Sequence, residues 1–242
     1  MEVWGMTDVG NVREQNQDYY LTLSLPNGLA AVLCDGMGGA KSGNVASKLA
    51  AEVFLGEIRR AFRESLDADK IEFLLETAVG LANTAVYENA QLSEDMNGMG
   101  TTLVGVLLLD NTLYTVNVGD SRAYLLNNDE VRPITTDHSL VELMVQRGEM
   151  TREQAKNAPN KNVITRAIGS EPYVRADIFR NPVFPGDNVL LCSDGLSNLL
   201  ADQELLFEVV HGVRKEDCCS RLVEIAKSRG APDNVTVVLI SI

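Results

Sequence analysis

The chain has 242 residues, long for an average domain but within the range of a large β fold built as one unit. Hydrophobic residues make up 45% and charged residues 23%, ordinary values that predict a packed core. A formal net charge of -13 repels phosphate backbones and argues against nucleic-acid binding. The longest apolar run, Leu103 to Leu109, has strand length and cannot span a bilayer.

Met1 to Gly10 carries neither a basic patch nor an apolar stretch, so no signal peptide is expected. The first buried strand is read at Leu29 to Cys34, closed by the loop Asp35-Gly36-Met37-Gly38-Gly39. From about Ser42 the period changes. Val45, Leu49, Val53, Ile58 and Phe62 predict one helical face, and Ile71, Leu75, Ala78, Ala82 and Val86 a second. Thr102 to Leu109, Thr112 to Val118 and Ser121 to Leu126 follow, parted by turns at Asp110-Asn111 and Gly119-Asp120, and read as a three-stranded meander.

Residues 137–170 are polar, with helical pieces at Val141 to Gln146 and Arg152 to Ala158, and read as an insertion or flap. Val189 to Cys192 is a buried strand ended by Ser193-Asp194-Gly195. Helices are predicted at Asp202 to Val210 and Glu216 to Arg229, and a last strand at Val235 to Ile242. Short links between strands predict an α+β fold with antiparallel sheets and helix pairs outside. Cys34, Cys192, Cys218 and Cys219 form no Cys-x-x-Cys pair and fit reduced thiols in a cytoplasmic protein.

The aspartates carry the chemical signal. Asp35 and Asp194 each end an apolar run and precede glycine; Asp233 opens the last strand. Asp120 lies in a turn and Asp18 just before an early strand near Tyr19. Any one of them reads as a turn residue. Together, at the ends of strands, they would gather carboxylates at one sheet edge, where mutual repulsion favours protonation unless a hard divalent cation neutralises them. Oxygen-only donors favour magnesium or manganese over zinc. Arg13, in Val12-Arg13-Glu14-Gln15-Asn16-Gln17-Asp18, reads either as a salt-bridge partner of this acidic site or as a clamp for a phosphate dianion.

These segments, in this order, resemble the metal-dependent type 2C protein phosphatases, and within them the compact bacterial branch. The resemblance runs from Thr7-Asp8-Val9-Gly10 through Asn16-Gln17-Asp18, Asp35-Gly36-Met37-Gly38-Gly39, Gly100-Thr101-Thr102 and Val118-Gly119-Asp120-Ser121-Arg122. It continues through Asp137-His138-Ser139, Thr165-Arg166-Ala167-Ile168-Gly169 and Ser193-Asp194-Gly195-Leu196 to Pro232-Asp233-Asn234. It implies a four-layer α-β-β-α sandwich, two antiparallel sheets flanked by antiparallel helix pairs, as a single domain over 1–242 with the flap at about 137–170.

It also implies roles. Asp35 would bridge two manganese or magnesium ions, with the Gly36 carbonyl as a further ligand. Asp194 and Asp233 would hold one ion, and Asp120 with Asp194 a weaker third. Asp18 would orient the attacking water and Arg13 would bind the substrate phosphate. The implied reaction is hydrolysis of phosphoserine or phosphothreonine esters without a covalent intermediate. The implied partners are phosphorylated proteins and an opposing serine/threonine kinase, with a monomer as the default state.

Relatives usually carry histidine after Asp-Gly-Met-Gly-Gly, a plausible general acid; this chain has Ala40. A missing general acid costs roughly 10²–10⁴-fold, so the implied enzyme keeps working with its leaving group protonated from elsewhere. A phosphomonoesterase of small molecules and a non-catalytic binding module are the alternative readings.

Overall fold

A computed structural model describes residues 1–38, 42–64, 66–92, 94–96, 98–128 and 130–242. Its strands are β1 (Glu2–Asp8), β2 (Asp18–Leu25), β3 (Gly28–Met37), β4 (Gly100–Thr101), β5 (Leu103–Leu109), β6 (Thr112–Val118), β7 (Arg122–Leu126), β8 (Val131–Pro133), β9 (Asp177–Pro182), β10 (Asn188–Cys192) and β11 (Val235–Ser241). Its helices are α1 (Gly43–Ala61), α2 (Ala68–Ala90), α3 (Leu140–Gln146), α4 (Arg152–Lys156), α5 (Asp194–Ser197), α6 (Asp202–Leu206) and α7 (Cys218–Ser228).

One sheet runs β1-β11-β10-β7-β8 and the other β2-β3-β5-β6-β9, with β4 paired to β3. Every pairing is antiparallel. Period-two alternation sorts the side chains into three apolar layers. Leu29, Ala31 and Leu33 of β3 meet Leu191 of β10 and Val238 of β11 between the sheets. The alternate residues Ala30, Val32 and Cys34 face α1 and α2. Leu190, Cys192, Val237 and Leu239 pack under α7 on the far side. These strands are covered on both faces, which is why they read as unbroken apolar runs rather than alternating ones.

Helix α1 buries a broader stripe than the predicted one, whose Ile58 and Phe62 are buried and whose Val45, Leu49 and Val53 pack at its margin. Ala46, Ala50, Ala51 and Phe54 are buried as well. Alanine lets the helix come close to the sheet, and the Phe54 ring fills the space a side chain at Gly105 would need. Phe62 is buried but caps the helix in extended conformation. For α2 all five predicted positions are buried; its N-cap Asp67 accepts from the Lys70 N–H.

The meander expectation needs correction. β5 and β6 form a hairpin, but β7 joins the other sheet beside β10. The Gly119-Asp120 link is therefore a crossover between sheets, not a hairpin turn. Gly119 has φ +111 and lies against Thr102, a backbone state closed to most residues. Two other boundaries also move. β3 continues through Met37, because Gly36 and Met37 pair with Thr101 and Gly100 of β4. Asp194 opens the short helix α5 rather than a loop.

Segment 137–170 folds back on itself. Ser139 and Ile164 form a bridge, and the N–H groups of Leu140 and Thr165 donate to Val163 and His138 carbonyls. α3 and α4 sit between these ends.

Candidate active site

Where the strands end, a cleft of about 450 Å³ opens, lined by Arg13, Asp35, Gly36, Asp120, Asp194 and Asp233 among others. The elements deliver these groups by register. Asp18 and Asp35 are direct partners across β2 and β3, so their side chains emerge on one face. Like charges directly opposite destabilise a sheet pair, so this register needs compensation. Asp194 follows β10 and Asp233 precedes β11, neighbours in the second sheet. Asp120 arrives on the crossover between the sheets.

The backbone beneath is tightly held. The Asp35 N–H donates to the Thr102 hydroxyl at 2.9 Å, and Thr101 Oγ1 donates to the Asp35 carbonyl at 2.8 Å. The Gly36 N–H donates to the Gln17 carbonyl at 3.1 Å. A Cβ on Gly36 would lie 2.1 Å from the Gly43 carbonyl oxygen, so only glycine lets the start of α1 pack here.

Asp18 is buried, 5% exposed. Its Oδ2 accepts from the hydroxyls of Ser193 at 2.8 Å and Thr236 at 2.7 Å. Its Oδ1, like Oδ1 of Asp194, is buried with no amide, hydroxyl or cationic donor; the Asp18 and Asp194 carboxyls both lie within hydrogen-bond reach of the Asp35 carboxyl. Burial, and then the Asp194 charge, push the Asp18 carboxyl up to about 6. Asp120 is pushed up to about 7, first by burial and then by Asp194 and Asp137. Asp35 stands well above the carboxylate range through burial and the charges of Asp18, Asp194, Asp120 and Asp233. Asp194 rises through burial and Asp233.

These are the marks of a site that divalent cations fit. Oxygen donors converge, two carboxylate oxygens lack an ordinary donor, and Arg13 and Arg122 offset the mutual repulsion only in part, since Asp35, Asp120 and Asp194 all stay raised. Among the described residues no three acidic, histidine or cysteine side chains are placed, as they lie, to hold a metal ion together. Asp35, Asp120, Asp194 and Asp233 line the cleft, where hard cations can bind carboxylate oxygens and keep water in their shell.

Arg13 is about half exposed and donates to Asp233 Oδ2 at 2.8 Å. The ion pair that was one of its two readings is thus present, and the Asp233 carboxylate raises the guanidinium pKa. Its loop is clamped by Asn234, whose amide donates to the carbonyls of Val9 and Gln15 and accepts from the Gln17 N–H. Asn234 also holds its own turn, its N–H donating to Asp233 Oδ1 at 2.9 Å.

Sequence reasoning also passed over Ser193 and Thr236 as holders of Asp18, and Glu14 and Asn162 in the cleft wall. Ser193 carried a signal in its place beside Asp194; Asn162, in the polar 137–170 segment, carried none. His138 accepts from the Gly119 N–H through Nδ1 at 3.1 Å and does not line the cleft. Ala40 lies outside the described residues.

A four-layer sandwich with a carboxylate cleft at the strand ends defines a metal-dependent hydrolase architecture. The chain belongs to the protein phosphatase 2C family, whose model matches residues 11–225. It is 37% identical over 236 residues to the serine/threonine phosphatase stp of Listeria innocua, covering 97% of this chain and 93% of that one. The crystal structure of Stp1 from Staphylococcus aureus, a serine/threonine phosphatase, superimposes with a TM-score of 0.93 at 35% identity, covering 100% of this chain and 94% of that one. The catalytic domain of the serine/threonine protein phosphatase PstP, solved with two manganese ions, matches at TM-score 0.85 and 33% identity, covering 98% and 96%.

Proposed function

We propose that this cleft hydrolyses phosphoserine and phosphothreonine esters of proteins, with Asp35, Asp194 and Asp233 as the main cation ligands. Membership of the family and the near full-length match to serine/threonine phosphatases make the chain a metal-dependent serine/threonine protein phosphatase. The observation that carries the residue assignment is the convergence of four lining aspartates, with Asp18 beneath, on one cleft beside one arginine.

Two divalent cations, manganese or magnesium, supply an acidified water and neutralise developing negative charge when bound. Asp35, the Gly36 carbonyl, Asp194 and Asp233 would hold these two, and Asp120 with Asp194 a weaker third. The chain's own groups do the rest. Asp18, fixed by two hydroxyls beneath the cleft floor, would help to orient the attacking water. Arg13 exchanges its contact with Asp233 for the phosphate dianion and stabilises the equatorial oxygens. Water attacks phosphorus in line and gives up one proton, the P–O ester bond breaks, and the alkoxide takes up a proton in its place, so that a serine or threonine hydroxyl and inorganic phosphate leave.

No cysteine competes as nucleophile. All four are buried and unpaired, and burial pushes the Cys192 thiol up to about 12. Unpaired thiols fit a reducing compartment, and we assign the protein to the cytoplasm, where it opposes a serine/threonine kinase. Among the described residues no helix is long and apolar enough to cross a membrane. Residues 137–170 act as a flap, since Asn162 and Ile164 line the cleft.

The test is phosphate release from a phosphothreonine peptide with and without manganese, for wild type and Asp194→Ala. Manganese-dependent release that the substitution abolishes is the expected result. A folded wild type inert with every divalent cation would overturn the reading.

A further inference from the structure

The charges lining the cleft are unequal. Among its described lining residues Arg13 is the one cation, against Asp35, Asp120, Asp194, Asp233 and Glu14. Four of these five carboxylates are engaged in the proposed site. Asp233 pairs with Arg13 at 2.8 Å, Asp194 accepts from Asn198 at 3.1 Å, and Asp35 and Asp120 crowd the cleft floor. Glu14 differs. It is exposed, sits next to the phosphate-binding arginine, and makes no ion pair or hydrogen bond among the described residues.

Its place is not loose. The loop that carries it is pinned on both sides, by Asn11 through its N–H to the Ala231 carbonyl at 2.9 Å and by Asn234 through the Gln15 carbonyl at 3.0 Å. A phosphate dianion seated on Arg13 therefore meets a like charge on the next residue of a held backbone, on a protein whose net charge is already -13. Both terms oppose an anionic substrate. A cation carried by the substrate removes the local one and weakens the other.

We propose that Glu14 is a specificity-determining residue that selects phosphoserine and phosphothreonine sites flanked by arginine or lysine. The inference rests on the protein phosphatase reading above. The contact forms at an exposed rim, so its contribution is that of a surface ion pair, about twofold to fivefold in kcat/KM, and it weakens with added salt.

The experiment uses three phosphothreonine peptides of one sequence, flanked on both sides by arginine, alanine or glutamate, with manganese present. The readout is the ratio of kcat/KM for the arginine-flanked over the glutamate-flanked peptide, for wild type, Glu14→Gln and Glu14→Lys. The inference expects a wild-type ratio above one that falls severalfold in Glu14→Gln, inverts in Glu14→Lys and shrinks with rising ionic strength. Hydrolysis of all three peptides with a ratio that neither substitution changes would overturn the inference and leave the phosphatase reading standing. Failure of wild type to hydrolyse any of them would overturn both.

Discussion

Asp18 and Asp35 face each other across a strand pair, and the site's character follows from that one register. Without cations the cluster works against folding, since Asp35 is pressed from four sides by other carboxylates. Asp35→Asn keeps the shape and removes the ionisable group that the fold must otherwise hold protonated. In chelator-treated protein this substitution should raise Tm by a few degrees, on the order of 1 kcal/mol; with manganese it should abolish phosphopeptide hydrolysis. A lower Tm in the metal-free state would show that the carboxyl is stabilising there. The aspartates were legible as candidates because Asp-Gly after an apolar run marks a strand end. What could not be read was the buried support of Asp18: Ser193 and Thr236 lie 175 and 218 positions away, and hydroxyls in strand-like text look like any others.

At the scale of elements, the crossover at Gly119-Asp120 depends on His138. His138 Nδ1 accepts from the Gly119 N–H at 3.1 Å, and the His138 N–H donates to the Gly119 carbonyl at 2.9 Å. With Nδ1 occupied as acceptor, Nε2 carries the proton toward Asp177 Oδ2 at 3.2 Å. Burial holds the imidazole pKa below its ordinary value, so the ring stays neutral and this tautomer persists. His138→Ala should cost about 1–3 kcal/mol in urea unfolding, because it strands a buried N–H. His138→Asn, whose carbonyl can face Gly119, should recover part of that. Equal stability of Ala and Asn would deny the grip its energetic role. The meander expectation failed at this same link. Three short strands parted by tight turns look alike whether the third stays in the sheet or leaves it, since both destinations bury β7 on two faces.

For the whole molecule, cation binding and proton binding are linked. The ordinary carboxyl pKa is 3.8, and the fold raises Asp18 to about 6 and Asp120 to about 7. Between those limits the native state holds protons that the unfolded chain has released. Metal-free stability should therefore fall as pH rises from about 4 to about 7 through these groups. Asp120→Asn should flatten that slope in urea titrations. Manganese at a hundredfold excess over its Kd should add about 2.7 kcal/mol at pH 7, and little at pH 4, where protons compete. A metal-free stability that rises over this range in wild type and Asp120→Asn alike would count against the carboxylate cluster as its source.

The sequence by itself determined the composition of the layers and the identity of the acidic residues. Both are local properties: apolar runs, periodicity, and aspartate beside glycine at the end of a run. It also carried enough ordered motif to assign the family. Tertiary structure alone decided which sheet received β7, how broad a stripe of α1 met the sheet, and how Asn234 pins the Arg13 loop. Those outcomes rest on contacts between residues distant in the chain, where packing distance and backbone hydrogen-bond register choose among arrangements that local pattern leaves equivalent.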